Sequence, residues 1–239
     1  MVARAEASAV QRDAAAARRA GGAVLLFFAL ALIAAAPFLV KPEIDLIVSR
    51  WIWHAQGDRF QEPTGWFWPI YVGLRPLIYA AAALVAAIGA WNLLRGRRHL
   101  GLDIRVTAFV LLSLAIGPGL VTDIALKDYW GRARPRDIVE FGGTRQFTPA
   151  FVPADQCARN CSFVSGHAAL TFAFAPFALL AASRRRRAAL SAVIGLGLFV
   201  GAMRMVQGAH FLSDVIFAGF VVVGIVLALA WLILPRDRG

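Results

Sequence analysis

The chain has 239 residues, 59% of them hydrophobic and only 16% charged, with a formal net charge of +11. Length alone would allow one or two water-soluble domains, but the near-continuous apolar runs identify an integral membrane protein. Its Lys and Arg residues cluster in short loops between those runs, as membrane topology demands, and form no soluble basic domain, which excludes nucleic acid as a partner.

Residues 1–22, rich in Ala and Arg, read as a cytoplasmic tail. The first apolar run covers 23–40. Arg18 and Arg19 before it, with Ala34, Ala35 and Ala36 inside it, also fit a cleaved signal peptide, but Pro37 directly after the small residues argues for a retained span. Residues 41–67 carry Trp51, Trp53 and Trp66 and read as an outer interfacial stretch, with a short amphipathic helix over Ile44–Ala55. Spans follow at 69–94, with Pro76 as a kink point, and at 106–126, interrupted by Gly117, Pro118 and Gly119. A long polar loop, 127–164, leads to spans at 165–182, 188–203 and 214–234, with Arg184–Arg187 read as a positive turn between the first two. The expected fold is therefore all-α with six transmembrane helices, one membrane domain over 23–234, and a short tail at 235–239.

Charge sets the orientation. The tail before the first span, the block Arg95, Arg97 and Arg98, the block Arg184–Arg187 and the C-terminal tail alternate onto one side, which is the cytoplasm by the positive-inside rule. Both termini are then cytoplasmic, and the loops at 41–67, 127–164 and 204–210 open together on the outer face.

Those outer loops hold most of the chemistry. The long loop begins with Lys127, Arg132, Arg134 and Arg136, on the side where topology does not favour cations. Arg offers a bidentate fork for phosphate and Lys a point charge, although a basic loop meeting anionic headgroups would look the same. The loop ends in Ser165-Gly166-His167 at the start of an apolar run, where free backbone N–H groups and the helix dipole favour an anion. Ser165 as a plain helix cap is the alternative. Arg204, His210 and Asp214 follow at the edge of the last span. If that helix already includes His210, Asp214 lies one turn on and accepts a hydrogen bond from one imidazole nitrogen, leaving the other basic.

Taken together, Lys127 with Arg134-Pro135, then Ser165-Gly166-His167, then Arg204, His210 and Asp214 resemble the three-part signature of the type 2 phosphatidic acid phosphatase superfamily. Every ionisable position of that signature is filled. Val164 stands where Pro often precedes Ser-Gly-His, and Met203 where Ser often precedes the Arg, differences that bear on subfamily more than on chemistry. The resemblance implies His210 as a nucleophile forming a phosphohistidine, Asp214 as its orienting partner, and His167 as the acid that protonates the leaving oxygen and then activates water. It assigns the non-bridging oxygens to Lys127, Arg134, Arg204 and the Ser165 and Gly166 amides. Positioning and charge stabilisation are what phosphoryl transfer needs most, so no metal and no organic cofactor are expected.

The stretches around Trp130–Asp137, Glu140–Gly143 and Asn160–His167 are similar to bacterial lipid A phosphatases that remove the 1- or 4′-phosphate. Arg132, Arg136 and Arg145 would then meet a headgroup with several anionic groups. Undecaprenyl diphosphate, phosphatidylglycerophosphate and phosphatidic acid remain alternative substrates, as do phosphotransfer between lipids and, from another class, an anion transporter. The expected location is a bacterial inner membrane with the site facing the periplasm. Cys157 and Cys161, the only cysteines, would form a disulfide in that compartment or stay as two free thiols.

Overall fold

A computed structural model describes residue 22 and residues 24–234, so the tails expected at 1–22 (Gly22 apart) and 235–239 lie outside the described residues. Among the described residues every regular element is helical, beyond an isolated β-bridge between Ile138 and Arg145. Helix α1 (Val24–Val40) meets α2 (Ile44–Ala55) at a bend of 78°. In α2 the buried positions Asp45, Ser49 and Ile52 recur at helical spacing on one face, while Ile47 and Trp51 point outward, Trp51 with 72% of its surface exposed. This is the amphipathic helix expected between the first two spans, with a carboxylate on its inner face.

Helix α3 (Trp68–Arg95) runs through Pro76 without a break. Helix α4 (Ile104–Tyr129) is α-helical to Leu114 and then widens into a π-helix over Ala115–Leu126. Pro118 explains the change of register. It has no N–H to give the carbonyl of Leu114, and its ring would collide with that carbonyl in an α-helix. The widened segment delivers Lys127 to the C-terminal end of the helix.

The apolar run after Ser165 divides into α5 (Gly166–Phe172) and α6 (Ala175–Leu180). Pro176 causes the division, since continuing α5 would set its ring against the carbonyl of Phe172. Helix α7 (Ser183–Val206) begins earlier than expected. Arg184–Arg187 therefore form its first turn and are not a separate loop, although the helix dipole disfavours cations there. Helix α8 (Leu212–Ile233) ends the described chain.

Helices α3, α4, α7 and α8 are each long and apolar enough to cross a membrane, and α1 with α2 would make a fifth candidate as one broken span. The α5–α6 pair is shorter, and it packs between α4, α7 and α8. Gly197 and Gly201 on one face of α7 make that packing possible. A Cβ at Gly197 would lie 2.4 Å from Phe172, and one at Gly201 would lie 2.1 Å from Val215. The close approach of α5, α7 and α8 brings the ends of these helices together at one site.

Candidate active site

A cavity of about 310 Å³ lies where these helix ends meet. Lys127, Arg134, Gly166, His167, Arg204 and His210, all singled out from the sequence, line it. Tyr71, Val72 and Arg75 of α3 and Asn160 of the long loop complete the wall. Ser165 and Asp214 are fully buried.

The cations are held by the loop between α4 and α5. Lys127 Nζ donates to Asn160 Oδ1 at 2.7 Å, and Arg134 donates to the Asn160 carbonyl at 2.6 Å. Asn160 has φ +52°, a left-handed conformation that Asn tolerates better than most residues. One residue thus aims two cations, Lys127 at the end of α4 and Arg134 on the loop. Burial, and then the neighbouring charge of Arg136, hold the Arg134 guanidinium below its ordinary pKa. Cations gathered this closely repel one another unless an anion lies between them.

Gly166 is part of the same arrangement. A Cβ there would sit 3.1 Å from Lys127 Cε and 3.4 Å from its Nζ, so glycine lets the ammonium approach the start of α5. The hydroxyl of Ser165, at the N-cap of α5, is buried and makes no hydrogen bond among the described residues. Its backbone N–H instead donates to the carbonyl of Asp214 at 3.0 Å.

His210 precedes α8 and does not lie within it. Its Nδ1 is 2.8 Å from the carbonyl of Ser162 and 3.7 Å from Asp214 Oδ2. The direct His–Asp hydrogen bond expected from four-residue spacing is therefore replaced by a backbone acceptor, with Asp214 just beyond it. The cause is that Asp214 is fully engaged elsewhere. Its Oδ2 accepts from Ser162 Oγ at 2.5 Å and from the N–H of Phe211 at 2.8 Å, and its Oδ1 accepts from Arg132 at 2.6 Å. With Nδ1–H donating to Ser162, Nε2 is the imidazole nitrogen left for chemistry. Burial pushes the His210 pKa down to about 3, against a smaller upward pull from Asp214, so the ring is neutral at pH 7 and its Nε2 lone pair is free.

His167 stacks on the Tyr71 ring with centroids 4.7 Å apart, and its Nε2 lies 3.1 Å from the Tyr71 carbonyl. That leaves Nδ1 as the nitrogen able to exchange a proton with a bound molecule. Arg204 lies over the same tyrosine at 4.8 Å and donates to Gln207. Tyr71 thereby orients two of the expected residues. Nothing in the sequence singled it out, although it lies in an apolar span whose aromatic residues would otherwise face lipid. Arg75, on the cavity wall, pairs with Asp123 at 3.1 Å.

The cations expected at a headgroup divide into two groups. Arg132 has 0% exposure and is not a surface contact. Its guanidinium is consumed by Thr148, Ser213, Asp45 and Asp214, all within 2.9 Å. Arg136 and Arg145 are exposed and line a second cavity of about 410 Å³ formed by the long loop. The Arg136 N–H donates to the carbonyl of Gly208 at 3.0 Å, which sets this cavity beside the turn that carries His210. Cys157, also on that cavity, is disulfide-bonded to Cys161, and the bridge encloses Asn160. Among the described residues, no three His, Cys, Asp or Glu side chains gather as a metal-ion site.

Residues 106–239 match the sequence profile of the PAP2 superfamily. Over 115 residues the chain is 46% identical to the lipid A 4′-phosphatase of Francisella tularensis subsp. novicida (strain U112), covering 48% of this chain and 52% of that protein. It is 35% identical over 147 residues to the lipid A 4′-phosphatase of Rhizobium etli, covering 59% of this chain and 57% of the relative. The lipid A 4′-phosphatase of Rhizobium leguminosarum is 33% identical over 148 residues, with 60% and 64% coverage. The matched regions thus span only about half to under two-thirds of these relatives' own length. No solved structure matches the chain.

Proposed function

The chain belongs to the PAP2 superfamily, and from that premise we propose that it is a membrane lipid phosphatase acting through a phosphohistidine on a lipid A-type substrate. The observation that carries this reading is the convergence of Lys127, Arg134 and Arg204 with two imidazoles on one cavity. Nε2 of His210 attacks phosphorus in line while its Nδ1–H stays on the Ser162 carbonyl. His167 in its protonated form, with Nε2–H held on the Tyr71 carbonyl, gives its Nδ1 proton to the departing lipid oxygen and is left neutral. In the second half-reaction the same nitrogen takes a proton from water, which attacks the phosphohistidine and releases phosphate. Lys127, Arg134, Arg204, the Ser165 hydroxyl and the N–H groups at the start of α5 stabilise the charge on the three equatorial oxygens. Asp214 acts from behind, on Ser162 and His210.

For the substrate, the names of the relatives and the second cavity point the same way. Arg136 and Arg145 provide positive charge beside the reacting centre, suited to another anionic group on the same headgroup. We place the site at the outer, periplasmic face of an inner membrane, with six membrane passages and both termini cytoplasmic. The α1–α2 pair and the α5–α6 pair supply the passages beyond the four long helices.

The test is free phosphate release from lipid A, undecaprenyl diphosphate and phosphatidic acid, in EDTA, by the wild-type protein and by His210→Ala. Release from lipid A, abolished by the substitution, is expected. Retained turnover in His210→Ala would refute the mechanism. Release confined to undecaprenyl diphosphate would refute the substrate, and label passing to a second lipid without free phosphate would make the protein a phosphotransferase.

A further inference from the structure

One buried cluster lies outside the phosphate cavity. Arg132, with no exposed surface, donates from one nitrogen to Asp45 Oδ2 at 2.8 Å and from another to Asp214 Oδ1 at 2.6 Å. Ser213 closes the ring, since its hydroxyl donates to Asp45 Oδ2 at 2.5 Å and its N–H to Asp45 Oδ1 at 2.9 Å, and its oxygen accepts from Arg132 at 2.9 Å. The guanidinium plane lies over the Phe211 ring at 4.2 Å, next to His210 in the chain. The cluster thus joins α2, the long loop and the first turn of α8.

A buried ion pair of this kind is poor support for stability, because the desolvation of each charge offsets most of the attraction. What such a cluster does well is select one arrangement of the groups it binds. Here the group at its centre is the carboxylate beside His210. Asp214 receives Arg132 on one oxygen and Ser162 on the other, and the carbonyl of that same Ser162 accepts the Nδ1–H of His210. A shift of Asp214 would therefore move the acceptor that aims His210. Arg132 is itself aimed by Asp45, the inner-face carboxylate of the surface helix α2.

We infer that Arg132 and Asp45 are positioning residues for the reaction at His210, acting through Asp214 and Ser162, and that α2 is therefore a working part of the active site. The inference rests on the phosphatase reading. Neither residue lines the phosphate cavity. Disturbing them should slow the chemical step and leave anion binding intact.

The experiment compares wild type, Asp45→Asn and Arg132→Lys by kcat and KM for lipid A and by competitive inhibition with inorganic phosphate. Asp45→Asn keeps the side-chain shape and the acceptor for the Ser213 N–H, and Arg132→Lys keeps the charge but loses the fork. We expect kcat to fall about 10- to 100-fold in each, the scale known for outer partners that orient a functional group through another residue. KM and the phosphate inhibition constant should stay within about twofold, the signature of an interaction lost at the transition state. Wild-type kcat in both variants would overturn the inference. So would phosphate inhibition weakened in proportion to kcat in Asp45→Asn, which would mark general damage to the fold. If wild type itself released no phosphate from any lipid, the phosphatase reading would be what had failed.

Discussion

Asn160 offers a clean measurement because its two contacts with the cations come from different atoms. Asn160→Gly removes the side-chain oxygen that accepts from Lys127 at 2.7 Å, while the carbonyl that accepts from Arg134 at 2.6 Å remains. Glycine also accepts φ +52° without strain. A hydrogen bond from a charged donor contributes about 1.5–3 kcal/mol when buried, and Asn160 is exposed, so about 1–2 kcal/mol is the appropriate range. If that aim is felt fully in the transition state, kcat/KM falls about 5- to 30-fold. Asn160→Ala removes the same contact and adds roughly 1 kcal/mol or more for a Cβ in the left-handed region, so it should be the worse of the two. The assay is initial-rate phosphate release from lipid A in mixed micelles, with protein concentration matched by absorbance. Wild-type kcat/KM in Asn160→Gly would refute the idea that Asn160 aims Lys127, and equal losses in the two variants would refute the backbone part.

Three other outcomes are open to measurement. The unfolded His210 imidazole takes up a proton near its ordinary value of 6.5, but the folded one only near about 3. Between those values the unfolded state binds more protons, so His210 lowers stability progressively as pH falls below 6.5. Thermal midpoints followed from pH 8 to about pH 5 should drop for wild type and drop less for His210→Gln; parallel curves would contradict this. Gly201→Ala puts a Cβ 2.1 Å from Val215 on the neighbouring helix, and overpacking of this kind costs about 1–3 kcal/mol, read as a lower thermal midpoint. Arg145→Ala should raise KM for a doubly phosphorylated headgroup by up to about fivefold, the upper end for one exposed charge contact, with little change for a singly phosphorylated one. An equal rise for both would deny the second cavity a role in choosing substrate.

The residues that gather on the phosphate cavity were legible because reactive side chains are costly at the edge of hydrocarbon, and their spacing carries the pattern. Lys127, Arg134, His167, Arg204 and His210 all meet there. Arg132 was misread because a basic run carries no sign of which member turns inward. Its partner Asp45 is 87 residues upstream, beyond any local pattern. The direct His210–Asp214 bond was overestimated for a related reason, since spacing along a helix says nothing about competing donors such as Ser162 and the Phe211 N–H. Helix ends behaved similarly. The amphipathic stretch Ile44–Ala55 had a clear period, whereas Arg184–Arg187 read as a turn by charge although α7 runs through them, Arg being a good helix former. Pro176 was the visible mark of the break between α5 and α6, inside a run whose hydropathy alone suggested one span.

The Asp45–Arg132–Asp214 cluster also bears on how the protein is made. Its carboxylates come from α2 and α8, near opposite ends of the described chain, and Asp45 also binds Ser213, 168 residues away. Synthesis delivers the N-terminal parts first. Asp45 and Arg132 can therefore meet before Asp214 exists, and the imidazole of His210 arrives only with the closing helix. On the proposed mechanism, a partly inserted chain would hold the cations that receive phosphate but lack the nucleophile, and catalytic competence would appear only when α8 has docked.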